Sequence, residues 1–77
     1  MQVRIHAVGY LKKYTREASQ SVVVEVEPGA SVAALLAQLG IPEGEVLRVA
    51  VNEVVVGFDT ALAEGDAVRI IPPIAGG

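Results

Sequence analysis

Hydrophobic and polar positions alternate at the start of the chain. Residues 3–8 place apolar side chains on either side of Arg4 and His6, which is the period-two pattern of a strand with one buried face. The segment SVVVEVE at residues 21–27 resumes this alternation with β-branched side chains and ends at a Pro-Gly turn. The two segments predict the strands of a wide hairpin, joined by a polar connection at residues 10–20.

A helical period follows this hairpin. Ser31 is a favourable N-cap residue, because its hydroxyl can accept a hydrogen bond from a backbone N–H of the first turn. Apolar side chains then recur with helical spacing at Val32, Leu35, Leu36 and Leu39. Gly40 ends the pattern, so the sequence predicts one short helix whose leucine stripe faces a sheet.

Two further strands are predicted at residues 46–52 and 67–72, with a short apolar piece at 54–56 between them. The side chains expected on the core face of the two strands are Leu47, Val49, Val51, Val68 and Ile70. The element order is strand, strand, helix, strand, short strand, strand. This order predicts an α+β fold of the ubiquitin-like β-grasp class, in which a mixed sheet of four to five strands packs on one helix.

Composition is consistent with one small packed domain. The chain has 77 residues, of which 52% are hydrophobic and none is cysteine. We therefore expect a single domain over residues 1–77, stabilised by packing, with residues 73–77 as a flexible C-terminal tail. The lack of cysteine excludes a disulfide framework, a cysteine-based zinc site and a thiol nucleophile.

Charge and hydropathy narrow the classes of partner. Six basic and nine acidic residues give a formal net charge of −3, and the basic residues are scattered along the sequence, so nucleic-acid binding is not expected. The apolar runs fall far short of the roughly 20 residues that a membrane helix needs. No basic-then-apolar leader is recognisable at the start. The expectation is a cytoplasmic protein that does not associate with membranes.

Few side chains in the body of the chain are candidates for chemistry. His6 lies on the polar face of a predicted strand without a second ligand in its own alternation, so we interpret it as solvated. Three carboxylates that are close in sequence could indicate acid–base catalysis or a metal site, namely Asp59, Glu64 and Asp66. Their positions in turns, where Gly65 is expected to supply a positive φ, favour structural roles instead.

The basic stretch at residues 11–17 contains Lys12, Lys13 and Arg16. We interpret it as a solvated loop, and contact with an anionic ligand or partner is the alternative. No set of residues in the chain supports catalysis by the protein itself, and no bound cofactor or metal is predicted.

The chain ends on PPIAGG. Pro72 and Pro73 hold φ near about −65° and lack N–H donors, so they end the last strand and favour an extended exit. Ile74 is an apolar residue beyond the predicted fold, which either enters a partner pocket or packs back on its own domain. Gly76 and Gly77 lack a Cβ and can enter a channel too narrow for larger residues.

The last third of the chain, VAVNEVVVGFDTALAEGDAVRIIPPIAGG, resembles the C-terminal region of the MoaD/ThiS family of ubiquitin-like sulfur carriers. The matching positions are Asn52, Asp59, Leu62, Gly65, Asp66, Val68, Pro72, Pro73, Gly76 and Gly77. The first two thirds match in element order only. The proline pair favours the MoaD branch, the small subunit of molybdopterin synthase.

This resemblance implies a chemical role for the carboxylate of Gly77. A ubiquitin-activating-like adenylyltransferase would use ATP to form an acyl-adenylate there, and a sulfur donor would convert the adenylate to a thiocarboxylate. A larger catalytic acceptor subunit, such as that of molybdopterin synthase, would then receive the sulfur. Thiamine, thio-tRNA or cysteine synthesis are the competing destinations. ATP and the sulfur donor are used by these partners and are not bound by the chain itself.

The resemblance and the apolar pattern together predict a partner surface. Its expected members are Gly76, Ala75, Ile74, Pro73, Pro72, Ile71 and Phe58. Ile71 is expected on the sheet face that no helix covers, because Val68 and Ile70 face the helix. Phe58 lies either on that face or under its own loop.

Two other functions stay open at this point. The chain could be a protein modifier whose Gly77 becomes amide-linked to lysines of target proteins, since the same activation chemistry permits it. It could also be a β-grasp interaction module with an inert tail.

Overall fold

The computed structural model describes residues 1–8 and 22–73. The elements in chain order are β1 (Gln2–Ala7), β2 (Val22–Glu25), α1 (Val32–Leu39), a 3₁₀ helix (Glu43–Glu45), β3 (Arg48–Val51), β4 (Val54–Val56) and β5 (Ala67–Ile71). The basic stretch around Lys12, Lys13 and Arg16 lies outside the described residues, as do residues 74–77.

The five strands form one mixed sheet in the order β2-β1-β5-β3-β4. β1 and β5 run parallel at the centre, with Ile5 opposite Val68, while the other three pairings are antiparallel. The first and last strands of the sequence are therefore neighbours in the middle of the sheet. This arrangement confirms the predicted β-grasp fold with one helix on one face of the sheet.

The helix α1 seals the core as its spacing predicts. Val32, Leu35 and Leu36 are each 0% exposed. They belong to a buried cluster with alternate residues of the central strands, namely Val3, Ile5, Ala7, Val49, Val68 and Ile70. No polar or charged side chain is buried within the part of the chain that the structure describes. Burial of apolar area is thus the main source of stability, at about 25 cal/mol per Å².

The ends of α1 are fixed by the two residues that the sequence singles out. The Ser31 hydroxyl accepts a hydrogen bond from the Ala34 N–H at 3.1 Å, and Ser31 itself is extended. At the other end Gly40 adopts the left-handed conformation with φ 77°. The N–H of Ile41 then bonds to the Leu36 carbonyl at 2.9 Å, which satisfies a terminal carbonyl of the helix.

One predicted core residue is placed differently. Leu47 is 51% exposed, whereas its neighbour Val46 is 7% exposed and joins the core. The chain reaches β3 through the 3₁₀ helix, which the alternation did not predict, and the strand itself begins at Arg48. The regular alternation therefore starts after Leu47, and Val49 is the first core residue of β3.

The N-terminal amine, which precedes β1, is hydrogen-bonded to the end of β2 and to the residue after it. It donates hydrogen bonds to the Glu25 carboxylate and to the Val26 carbonyl, both at 2.8 Å. The bond to Glu25 raises the pKa of the Met1 amine above its ordinary value, and the same contact lowers the pKa of the Glu25 carboxyl. Each group is therefore held in its charged form by the fold.

We predict that Glu25→Gln lowers the unfolding temperature near neutral pH. The contribution of Glu25 is fully present above its ordinary pKa of 4.5 and is lost as the pH falls through its lowered folded pKa. The contribution of the amine is fully present below its ordinary pKa of 8.0 and is lost as the pH rises through its raised folded pKa. The difference in unfolding temperature between the Glu25→Gln variant and the parent should therefore be largest between the ordinary pKa values of 4.5 and 8.0. It should shrink at more acidic and at more alkaline pH.

Thermal unfolding followed by circular dichroism from acid to alkaline pH measures this difference. Glu27→Gln is the matched control, because the exposed Glu27 side chain makes no hydrogen bond to a described group and raises the pKa of the Met1 amine through its charge alone, as the smallest contribution. Equal effects of the two substitutions at every pH would contradict the prediction.

Candidate functional site

The candidate site begins where the chain leaves the sheet after β5. Ile70 accepts a hydrogen bond from the Val8 N–H at 3.0 Å on one side, and Ile71 accepts one from the Leu47 N–H at 2.8 Å on the other. Both carbonyls at the end of β5 are therefore held by neighbouring segments. The origin of the C-terminal tail is a fixed point of the fold.

The two prolines after β5 have different environments. Pro72 is among the most completely buried side chains, with less than 2% of its surface exposed, whereas Pro73 is exposed. Pro72 was expected to contact a partner, but its side chain packs within its own domain. It therefore anchors the tail, and the exposed exit begins at Pro73.

The remaining tail residues predicted to act in the site lie outside the described residues. They are Ile74, Ala75, Gly76 and Gly77. Their proposed roles in partner binding and in activation of the terminal carboxylate stay predictions.

Ile71 and Phe58 lie on different sides of the sheet. Ile71 is half-buried and pairs with Arg48 on the face opposite α1, as expected. Phe58 packs against the core on the helix side, where its carbonyl accepts a hydrogen bond from the Ala33 N–H at 2.8 Å. Of the two positions left open for Phe58, the structure has the one under its own loop and not the one on the uncovered face, because that loop is hydrogen-bonded to the first turn of α1.

A hydrogen-bonded clamp connects the two turns beside β5. The Asn52 amide donates to the Asp66 carboxylate at 2.9 Å, and the same carboxylate accepts the Ala63 N–H at 2.8 Å. The Asn52 side-chain oxygen accepts the Ala67 N–H at 3.0 Å. These contacts give Asn52 and Asp66 of the family pattern a structural role, which is to set the start of the strand that carries the tail.

Backbone conformation explains two residue types in these turns. Asn52 and Glu53 both have positive φ, at 51° and 72°, as a tight hairpin turn between β3 and β4 requires. Asparagine tolerates this conformation better than most residues. Gly65 has φ 82°, which confirms the positive φ expected from the sequence.

The acidic residues of the turns do not form a metal site. Glu64 accepts the Gln2 N–H at 2.9 Å, and Asp66 is held in the clamp, so both carboxylates stabilise backbone as predicted. Within residues 1–8 and 22–73, no group of three histidine, aspartate or glutamate side chains is arranged to hold a metal ion.

The sheet face opposite α1, here called the open face, carries a feature that the sequence reading missed. Arg4 and His6 of β1, Arg69 of β5 and Arg48 of β3 all point to it, because their strand neighbours point to the core. A shallow concavity of about 570 Å³ lies among these strands, with Ala50 and Ala67 in its lining. The basic residues appear scattered in sequence, but the strand register brings these four side chains together.

The chain matches a known protein family and is similar to several solved structures. The model of the ThiS family matches residues 8–77. The solution structure of the Haloferax volcanii HVO 2177 protein is 29% identical, with a TM-score of 0.77 over 100% of this chain and 87% of that one. SAMP1 from Haloferax volcanii is 22% identical, with a TM-score of 0.71 over 100% of both chains.

A third similar structure is a complex of subunits 1 and 2 of the molybdopterin-converting factor from Helicobacter pylori. The matching chain is 24% identical, with a TM-score of 0.64 over 100% of both chains. At identities below 25% such likeness establishes the fold alone. No curated protein sequence gives a match. In the described part of the chain, α1 and the 3₁₀ helix are too short to span a membrane.

We predict that Asp66→Ala lowers the free energy of unfolding by about 1–3 kcal/mol, because two hydrogen bonds to a charged group are lost. Asp59→Ala is the matched control, since the exposed Asp59 side chain forms no hydrogen bond with another described residue; its effect should stay within about 0.5 kcal/mol. Urea unfolding of the three proteins measures both values. A loss at Asp66 no larger than that at Asp59 would show that the clamp does not stabilise the fold.

Proposed function

The chain belongs to the ThiS family, and on that premise we propose that it carries sulfur as a thiocarboxylate at Gly77. The observation that carries the proposal is that the family match runs through the last residue, so it includes the Gly-Gly end as well as the folded body. The hydrogen-bonded side chains Asn52, Glu64 and Asp66 have structural roles in the turns. The terminal carboxylate is thus the reactive group of the proposal.

The chemistry begins with activation, because a carboxylate is a poor electrophile. In the first step an oxygen of the Gly77 carboxylate attacks the α-phosphorus of ATP. The bond from this phosphorus to the bridging oxygen breaks, and pyrophosphate leaves with its electron pair. In the second step a sulfide donor attacks the acyl carbon and AMP leaves with the bonding pair. The product is a thiocarboxylate in which one oxygen of Gly77 is replaced by sulfur.

A separate ATP-dependent adenylyltransferase performs the first step in this proposal. The chain itself is the protein substrate of that enzyme. Pro72 is anchored in the core, and the five residues from Pro73 to Gly77 give an extended chain a reach of about 17 Å. A tail of this length can deliver its end into a buried site while the domain stays outside.

The favoured destination of the sulfur is molybdopterin, with a larger catalytic subunit as acceptor. The proline pair of the tail supports this choice, and so does the similarity to one chain of the molybdopterin-converting factor complex from Helicobacter pylori. Carriers for thiamine, thio-tRNA or cysteine synthesis would use the same chemistry at Gly77.

Protein modification is the second candidate function. It is supported by the similarity to SAMP1, a small archaeal modifier protein. In this case the activated carbonyl of Gly77 is attacked by a lysine amine of a target protein, and AMP leaves as before. The product is an amide-linked conjugate instead of a thiocarboxylate.

We predict that the intact mass of the chain increases by the difference between one sulfur and one oxygen when it is incubated with ATP, a cognate activating enzyme and sulfide. Mass spectrometry of the C-terminal peptide locates the change at Gly77. The chain lacking Gly77 should keep its fold and its unfolding temperature but should not be converted.

Two results would count against the carrier function. An unchanged mass with an activating enzyme that is active on another substrate would reject it. Lysine-linked adducts of the chain in cell extract, without a thiocarboxylate, would favour the modifier instead.

We further predict that Gly76→Ala lowers kcat/KM for adenylation by about tenfold to a hundredfold, because a misplacement of about 1 Å at the reacting end is costly. Gly44→Ala is the matched control. An added Cβ at Gly44 meets no atom within 4 Å, so this substitution adds the same methyl group to a glycine of the 3₁₀ helix and leaves the sequence of the tail unchanged. Pyrophosphate exchange measures the rate, and equal rates for both variants would contradict a narrow channel around Gly76.

A further inference from the structure

The chain carries one extra residue where β3 begins beside β5. Arg48 is the register partner of Ile71 in the sheet, and the N–H of the preceding residue, Leu47, donates to the Ile71 carbonyl at 2.8 Å. Two consecutive residues of one segment therefore oppose a single residue of the neighbouring strand. This is the arrangement of a β-bulge.

The burial of side chains shows the same extra residue. Val46 is 7% exposed and Val49 is 0% exposed, whereas Leu47 is 51% exposed and Arg48 is exposed as well. Successive side chains of a regular strand alternate between its two faces, so two exposed neighbours between two buried residues indicate an insertion. Without Leu47, the order Val46, Arg48, Val49 alternates without a break. Leu47 is therefore the inserted residue.

The bulge lies at the point where the tail leaves the sheet. The carbonyl that it holds belongs to Ile71, the last residue of β5, and the next residue, Pro72, is buried. β-Bulges bend a strand and increase its twist, and they are frequent at sheet edges and beside functional sites. This bulge lies in the pairing of β3 with β5, which both have neighbours on either side. Protection of an exposed edge therefore does not explain it.

We infer that Leu47 is a positioning residue for the reaction at Gly77, and that it acts through its backbone N–H and the bulge. This inference rests on the proposed function. The Ile71 carbonyl is part of the peptide group that joins Ile71 to Pro72, so the bulge orients the first peptide group of the tail. The rings of Pro72 and Pro73 then hold φ near about −65°. An orientation set at Ile71 is thus transmitted through two restricted residues toward the reacting end.

The role assigned to Leu47 belongs to its backbone and not to its side chain. Any residue with an N–H can donate to the Ile71 carbonyl, and the exposed leucine side chain is not needed for this bond. The position should therefore tolerate a smaller side chain but neither a deletion nor a proline. This pattern differs from that of a residue whose side chain contacts a partner.

The test is adenylation of the full chain by its cognate ATP-dependent activating enzyme, with kcat and KM determined separately by pyrophosphate exchange. The chain lacking Leu47 should have a kcat about tenfold to a hundredfold below that of the parent, because a misplacement of about 1 Å at the reacting end is costly. Leu47→Ala is the matched control, since it removes the same side chain but keeps the N–H. Its kcat should stay within about twofold of the parent, and its KM should equal that of the shorter chain.

Leu47→Pro separates the N–H from the number of residues. It keeps the chain length and removes only the donor to the Ile71 carbonyl. Val46 has φ −118° and ψ 119°, which is the extended conformation that a residue before proline prefers. The kcat of this variant should fall at least about tenfold. Circular dichroism establishes that each variant is folded at the assay temperature, and Leu47→Pro decides the test alone if the shorter chain unfolds.

Two kinetic results overturn the inference. A parental kcat in the folded chain lacking Leu47 or in Leu47→Pro shows that the bulge does not position the reacting end. A kcat of Leu47→Ala as low as that of these two variants shows that the side chain is the cause.

A spin label reports the direction of the tail without the enzyme. The chain has no cysteine, so Ala75→Cys provides a single attachment site. The label broadens the NMR signals of the amide protons that lie near it. The parent and Leu47→Ala should show the same pattern of broadening, whereas Leu47→Pro and the chain lacking Leu47 should show a different one. An identical pattern in all four proteins overturns the inference.

The two measurements also separate this inference from the proposed function. If the parent is not adenylated while the broadening patterns differ as expected, the bulge positions the tail and the proposed function fails. If the parent is adenylated and every Leu47 variant reacts with the parental kcat, the positioning role alone fails.

Discussion

The parallel pairing of β1 with β5 is the constraint on which the rest of the molecule depends. It joins residues near the two ends of the sequence, such as Arg4 and Ala67, and places them at the centre of the sheet. Bringing residues so distant in sequence together carries a cost in loop-closure entropy, which the burial of apolar side chains beneath α1 must offset. The same pairing creates the surface on which α1 packs, and it holds the strand from which the tail leaves. A correctly directed tail is therefore a property of the completed fold.

Much of this fold follows from local signals, while several features of the site do not. Alternation around Arg4 and His6 predicts β1, and Ser31 and Gly40 mark the ends of α1 correctly, because caps and periodicity depend on near neighbours. The burial of Pro72 was not predicted and the position of Phe58 was left open between two alternatives, since both depend on which distant segment covers the side chain. The cluster of arginines on the open face was missed because it arises from register between strands. The available signal was the two-residue spacing of Arg4 and His6, and of Arg69 and Ile71, which puts each pair on one face of its strand.

The two faces of the sheet differ in the side chains that they carry. The helix side is apolar and contains no buried polar side chain among the described residues, so it needs no specific partner to be stable. The open face instead carries the charged side chains of Arg4, Arg48 and Arg69. The stability of the described domain and the chemistry proposed for Gly77 are thus assigned to different parts of the chain.

The bonding of the Met1 ammonium has a practical consequence for work with the purified protein. A tag fused before Met1 replaces this ammonium by an uncharged amide with one N–H, which cannot keep both contacts to Glu25 and Val26 in their charged form. A tag after Gly77 would block the carboxylate of the proposed chemistry. Both usual fusion sites are therefore unsuitable for measuring stability or activity. The exposed turn at Gly29, which lies at the Met1 end of the sheet and has open space around it, is the better place for an affinity insertion.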